Sequence, residues 1–452
     1  MNFIKKYIKI TLFKILFFVL LPTTITPYTF DKMLVYPPYG HSMGLHRANV
    51  STYKMIYGKS IKFDQCGGIS AVKLKSTDRK GSNDDDELTV FLADQINGSI
   101  LYNIGFDKLL SYNKNLKNPI IIKANRNGQV IVGDIGTKEV TLLQYRNDSL
   151  IYVKTILKGI NPSGIDFGKK NIVFITDKIK NKLFKVKFDG TILKSISIPS
   201  PKKLVSINSN DTWLVSGKSY IFVIANNGKS IIKYDSNLNE INEYNIPSDE
   251  IDDCNLEDIA CDFYRGIYLV DEKYSRLLKF DSNLKFIGIF GSMGMNDKQF
   301  YHPLYISIWK RYGQIFIVDM NGISYYWIGI DGNIIDVSPP ELTQEYPGIT
   351  FVIYSTDYSI GHLKISNSRG KTVRNFMIPK RLKPGKNYIL WDGKSNRGKF
   401  CPDGNYKVYL TLEPTYSSKG YFKRHFDTNV IINYTGIITI EKKNERYEED
   451  WF

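Results

Sequence analysis

Five short runs recur along the chain: TVFLAD (89–94), QVIVGD (129–134), IVFITD (172–177), IYLVD (267–271) and IFIVD (315–319). Each is an apolar, strand-length segment that closes on Asp. A degenerate copy, TWLVSG (212–217), falls between the third and the fourth of them. Ten to thirteen residues after each copy comes a second strand and a turn residue, at Asp107, Asn147, Asp189, Asn227, Asp281 and Asp331. A third short strand follows, as in LKFIGIFG (284–291), and a further β-segment opens the next unit, as in NPSGIDF (161–167) and HPLYISI (302–308). The unit is four short strands joined by tight turns. Six units fill residues 68–339, about 45 residues each, the period of propeller blades.

A four-stranded unit leaves both of its faces uncovered, so copies must pack on one another, and radial closure leaves only short edges exposed. The expected fold is all-β, with a six-bladed β-propeller over residues 51–339. These runs resemble NHL repeats, most clearly over residues 257–292 and in the P-x-G-I-x-F opening at 162–167. The strand-ending Asp residues are expected to accept backbone N–H groups in the turns. One carboxylate per blade places them far apart, which disfavours a ring of metal ligands. The stretch STYKMIYG (51–58) is similar to the strand that ends a unit. It is expected to pair with the last blade and close the ring, after an N-terminal segment over 27–50.

Ser338-Pro339-Pro340 is expected to end the propeller, with a linker over 340–348 and a sandwich of short strands over 349–443. Within it, Trp391-Asp392-Gly393, Asn396-Arg397-Gly398 and Pro402-Asp403-Gly404-Asn405-Tyr406 follow the pattern W-D-G, N-x-G, P-D-G-x-Y. That pattern resembles the FlgD-type immunoglobulin-like domain. Its chemistry is turn chemistry: glycines take positive φ, Asp and Asn bond their own turns, and Trp391 packs under the hairpin. It implies no catalysis. Residues 444–452 read as a charged tail.

With 61 Lys and Arg against 45 Asp and Glu, the net charge is +16, while 42% hydrophobic and 23% charged residues exclude a disordered chain. Four cysteines form no CxxC, so a disulfide scaffold or zinc ribbon has no support. At the amino terminus, Lys5, Lys6, Lys9 and Lys14 precede a short apolar run that ends at Pro22. The run falls short of the roughly 20 apolar residues of a spanning helix. Residues 1–26 therefore read as a signal peptide, or a signal anchor if uncleaved. The expected location is secreted, periplasmic or within the cell envelope of a bacterium.

Five histidines, with only His302 among the repeats, speak against zinc or iron catalysis. No phosphate loop, nucleophile elbow or cofactor motif is present, so no cofactor and no metal is expected. The acidic run Asp84-Asp85-Asp86-Glu87 reads as a solvated hairpin tip. The loops after the strand-ending Asp carry Lys138, Lys178, Lys180, Lys182, Lys273, Tyr274 and Arg276. In a propeller these loops share one face, and their charge would attract an acidic polymer; ordinary surface lysine is the other reading. The expected function is non-catalytic binding or scaffolding, toward a protein or an anionic polysaccharide of the envelope. Nucleic acid is disfavoured for an exported chain. The alternative is a channel enzyme of lactonase, hydrolase or lyase type, for which Glu257, Asp258 and His302 are the candidates.

Overall fold

The computed structural model describes residues 29–37, 48–57, 61–78, 88–104, 109–207, 218–377 and 381–434. The expected signal peptide, the run TWLVSG, Asp107, the acidic run 84–87 and the charged tail lie outside them. The described chain is nearly all β, with one α-helix at Val50–Tyr57. Six antiparallel sheets, designated I to VI, follow one another in sequence. Their first strands are Cys66–Lys73, Pro119–Ala124, Pro162–Phe167, Leu204–Ile207, Leu256–Cys261 and Tyr305–Trp309. Each first strand neighbours the next, and that of sheet VI neighbours that of sheet I, so the circuit closes.

Side-chain oxygens stitch this inner circuit together. Ser70 Oγ accepts Ala124 N–H from sheet II (3.0 Å), and Asp166 Oδ2 accepts Ser206 N–H from sheet IV (2.7 Å). Asp258 Oδ2 accepts Ile306 N–H from sheet VI (3.0 Å), and Ser307 Oγ accepts Ala71 N–H from sheet I (2.9 Å). Apolar side chains then fill the spaces between sheets, as with Phe91, Val130 and Phe316 in the cluster around sheet I.

The strand-ending Asp residues tie each turn to the segment that enters the same sheet. Asp134 accepts four backbone N–H groups, from Lys117, Asn118, Gly136 and Thr137, at 2.7–3.0 Å. Asp177 holds Asn161, Ile179 and Lys180 in the same way, and Asp319 holds Tyr301, Asn321 and Gly322. In sheet IV the second strand is Tyr220–Ala225, so Ala225 takes the Asp position. There backbone replaces the carboxylate: Asn226 N–H donates to Pro199 O, and Asn227 N–H to Ser200 O. Asn227 thus sits in the turn after the second strand. The turn expected at that residue is formed by Asp235–Asn239 instead.

Two boundaries differ from expectation. Residues 51–57 form part of the helix, not the closing strand, and its Met55 is exposed. Closure comes from Leu34–Val35, which pairs with Ile328 and Trp327, with Ala48–Asn49 adding a second pairing. Met33 and Leu34 are fully buried there. Because that edge of sheet VI is taken, Gly332–Ser338 does not belong to it. The strand pairs with Ile349–Ser355 instead, moving the domain boundary from Pro339 back to Asp331. Glu341–Leu342, within the expected linker, pairs in parallel with Ile431 and Ile432.

Residues 332–434 form two sheets around a core that includes Phe351, Trp391, Val408 and Leu410. Of the turn motifs, Asp392 bonds its own turn as expected, whereas Asn396 and Asp403 reach distant segments instead. Trp391 Nε1 donates to Lys394 O, Asp392 Oδ1 accepts Lys394 N–H, and Asn396 Oδ1 accepts Asn375 N–H. Tyr406 Oη donates to Pro402 O, and Asp403 Oδ1 accepts Tyr434 N–H. Gly393 has φ +69°, and a Cβ there would lie 2.5 Å from Tyr434 Oη. All four cysteines are buried free thiols, including Cys254 and Cys261.

Asp134→Ala leaves four backbone donors without their acceptor and is expected to cost about 3 kcal/mol. Ala225→Asp, at the position already served by backbone, is expected to yield no comparable gain. Denaturant unfolding of both variants checks the contrast.

Candidate functional site

The first strands converge on a central channel. At the face where they end, the channel opens into a cavity of about 710 Å³. Sheets I, II, III and VI supply its charge. Seven cationic side chains line it against one carboxylate, Asp166. Lys123 stands near the end of the first strand of sheet II, on the floor, and Lys310 directly follows the first strand of sheet VI. Lys75, Arg126, Lys169, Lys170 and Arg311 stand on the hairpins that follow, at the rim.

These cations are not equally available. Asp78, beside the cavity, pairs with Arg126 (2.5 Å), with buried Lys73 (3.2 Å) and with Arg311 (3.7 Å). Lys310 Nζ donates to Ser206 O across the channel at 3.2 Å. The ammonium groups of Lys75, Lys123, Lys169 and Lys170 have no hydrogen bond or ion pair within the described residues. Phe167 is half-buried on the wall of sheet III and meets the Phe188 ring edge-on at 6.1 Å. Trp309 lies on the far side, with the Arg126 guanidinium 5.9 Å from its ring centre. Cys261 also lines the floor, where burial pushes its thiol up, opposed by Lys310.

Below the floor the channel narrows to a void of about 10 Å³, room for no more than one water. Ile69, Ile121, Ile165 and Leu204 close it, with Lys203 and Asp258. Loss of hydration lowers the Lys203 amine to about 8, against the pull of Asp258. Burial raises the Asp258 carboxyl, opposed by Lys123 and Lys203.

The C-terminal sheets dock on sheets V and VI at the same face and hold part of the rim. Tyr416 Oη donates to the carbonyl of Lys310 and accepts Phe263 N–H. Tyr416 packs with Tyr264, which also meets Tyr358. Beneath them Lys279 Nζ meets Asp357 Oδ2 at 2.7 Å, both buried. Asp262, buried beside this pair, has its carboxyl raised to about 7, by burial first and by Asp357 second.

The loop residues singled out from sequence lie on the opposite face. Lys273, Tyr274 and Arg276 come together in sheet V. Lys178, Lys180 and Lys182 belong to sheet III, Lys138 to sheet II, and sheet IV separates the third from the fifth. Several are occupied: Lys180 Nζ bonds Gly159 O, Lys273 pairs with Asp253 at 3.0 Å, and Arg276 Nε meets buried Asp271 at 2.7 Å. Of the channel candidates, Asp258 sits inside, Glu257 pairs with Lys202 (2.7 Å), and His302 Nδ1 meets Glu272 (2.5 Å). Among the described residues, no three His, Cys, Asp or Glu side chains are grouped to hold a metal. No described helix is long and apolar enough to cross a membrane.

Sequence reasoning missed the cavity residues. Their signal was available: KANRNG (123–128), FGKKN (167–171) and WKRYG (309–313) carry basic residues at one position of three units.

No protein-family model matches the chain, and no curated protein matches it. Solved structures similar to it include a streptogramin B lyase, at 14% identity and TM-score 0.40, over 53% of this chain and 75% of that one. A gluconolactonase from Xanthomonas campestris matches at 10% identity and TM-score 0.43, over 65% and 98%. PorZ, a surface component of the type-IX secretion system of Porphyromonas gingivalis, matches at 12% and TM-score 0.37, over 76% and 58%. The closed circuit of sheets is that of a β-propeller. At these values the likenesses say nothing of activity, and the functional reading rests on the cavity.

Asp262 supplies a pH dependence. Its folded-state value of about 7 lies above the usual carboxylate value of 3.8, so the folded chain holds a proton that the unfolded chain has lost between those limits. Stability is therefore expected to fall as pH rises from about 4 to about 7 through this group, and to level off above. Asp262→Asn should flatten that slope and raise the melting temperature at pH 8 relative to the parent. Thermal melts across the range check the sign.

Proposed function

We propose that the chain is an exported bacterial binding protein, without catalysis of its own. In this reading it is a six-bladed, NHL-like β-propeller that carries a FlgD-type immunoglobulin-like domain. The protein works outside the cytoplasm, in the periplasm, the envelope or the medium, after the segment 1–26 has directed export. Its ligand is an anionic polysaccharide or another acidic envelope component, taken into the channel mouth. One observation carries the reading: a cavity with seven cations against one carboxylate, four of whose ammonium groups make no hydrogen bond or ion pair among the described residues. Unpaired like charges in a concave, low-dielectric site repel one another and attract an anion strongly. The opposite loop face, with Lys178, Lys182 and the Lys273–Tyr274–Arg276 group, offers a second surface for a protein partner.

A channel enzyme is the second reading, favoured by Asp258 and Lys203, whose titrations are moved toward neutrality. The Asp258 carboxylate is buried and already accepts the Ile259 and Ile306 N–H groups, so it is poorly placed to meet a substrate carbon. Binding is the stronger reading.

Lys123→Glu with Lys169→Glu is expected to weaken capture of an acidic polysaccharide at least tenfold, about 1.4 kcal/mol. The parent's affinity should fall as salt rises, because the attraction is screened. Lys178→Glu with Lys182→Glu, on the other face, should leave affinity within twofold. Calorimetric titration with polygalacturonate measures all three; equal losses from both pairs would place the ligand elsewhere. Arg276→Glu is unsuitable as a control, since it sets a carboxylate against buried Asp271.

A further inference from the structure

We infer that the cavity recognises the end of an acidic glycan chain, entered tip-first, and not an internal stretch of polymer. The inference rests on the anion-binding reading above and adds which part of which ligand is held.

Three observations lead to it. The cavity has a packed floor. Beneath Lys123 the next space is only about 10 Å³, lined by buried Ile69, Ile121, Ile165 and Leu204, which is too little for a polymer to thread. A chain can fill the space only by putting its terminus at the bottom. The volume falls within the roughly 300–1,000 Å³ of ordinary ligand pockets, enough for a short terminal segment and far too small for a coiled polymer.

The charge is layered. Lys123 occupies the strand position equivalent to Asp166, Ser70 and Ser307, and so marks the floor. Lys169 and Lys170 follow Asp166 by three and four residues on the hairpin. At about 3.3 Å per extended residue, the two layers are separated by at most roughly 10–13 Å. A ligand with a single compact anion would satisfy one layer and leave the other repelling itself.

Between the layers the wall of sheet III passes from Asp166, the carboxylate at floor level, to Phe167. The half-buried ring of Phe167 lies in it, and the Asn171 side chain at its upper edge makes no hydrogen bond within the described residues. An aromatic face beside a free carboxamide suits the apolar face and hydroxyls of a sugar ring. The sequence of requirements is anion, hydroxylated ring, anion. A chain of acidic sugars carries that alternation along its length; a chain of phosphates alone carries charge at every unit and offers no ring.

The test is titration of the full chain with two ladders of increasing length, α-1,4-linked oligogalacturonates and linear polyphosphates. For the oligogalacturonates, the expected stoichiometry is one protein per chain at every length, and affinity per chain levels off after a short oligomer. Lys169→Glu with Lys170→Glu should keep binding of the shortest acid and abolish the gain on lengthening. Several proteins bound per long chain, in proportion to length, would overturn end capture by showing side-on binding. Polyphosphate bound as tightly as the uronate, and equally reduced by Lys123→Glu, would overturn the sugar and leave the anion site standing. If neither ladder binds, the anion-binding reading itself falls.

Discussion

The ring depends on side-chain oxygens that accept backbone N–H groups across the seams between sheets. A β-sheet satisfies its own ladder, but a wedge of sheets around an axis leaves amides at the seams and turns, where no strand partner exists. Ser70, Asp166, Asp258 and Ser307 serve the inner seam, and Asp134, Asp177 and Asp319 serve the turns. Each such bond fixes one segment against another without demanding a particular apolar shape. Sheets of differing core composition can therefore share one geometry, as sheet IV does without its Asp.

The same constraint explains why the cavity is charged. Residues that follow the first strands have no seam to serve, since the hairpins protrude from the ring. On those hairpins Arg126, Lys169, Lys170 and Arg311 stand in sheets II, III and VI, Lys123 joins them from within the first strand of sheet II, and symmetry of the circuit brings them to one mouth. A run of basic residues that looks scattered over nearly 190 positions, from Lys123 to Arg311, becomes a single electrostatic feature. Asp78 shows how strong the local field is, drawing three cations from sheets I, II and VI to one carboxylate.

This bears on how much the sequence told. The repeated strand ending in Asp announced the sheets because its role is local: the carboxylate binds amides two and three residues on, and pattern and structure coincide. The closing strand was misplaced because Leu34–Val35 is a two-residue pairing, decided by which apolar side chains bury against a distant edge. No local pattern distinguishes it from STYKMIYG. Sheet IV was misaligned for a related reason. With Ala225 in place of Asp, the repeat lost the one letter that fixed its register, and TWLVSG took its place by resemblance. The site residues chosen from loops were sound as charge, yet Arg276 and Lys273 were already paired within their own sheet. Pairing is a tertiary property, and charge counting does not see it.

Docking of the C-terminal sheets adds a last constraint on the cavity. Tyr416 binds the carbonyl of Lys310 while the ammonium of the same residue reaches across to Ser206. One residue is thus held at both ends, by the second domain behind and the channel in front. The contact below, Lys279 with Asp357 and Asp262, places two carboxylates and one ammonium out of water. Such a buried group is costly unless every charge is balanced, and here one carboxylate is in excess. Burial first and the neighbouring Asp357 second raise the Asp262 carboxyl, and a proton there restores the balance. The second domain thus meets the rim through Tyr416 and the Lys310 carbonyl, directly above a carboxyl that burial holds protonated to higher pH than usual.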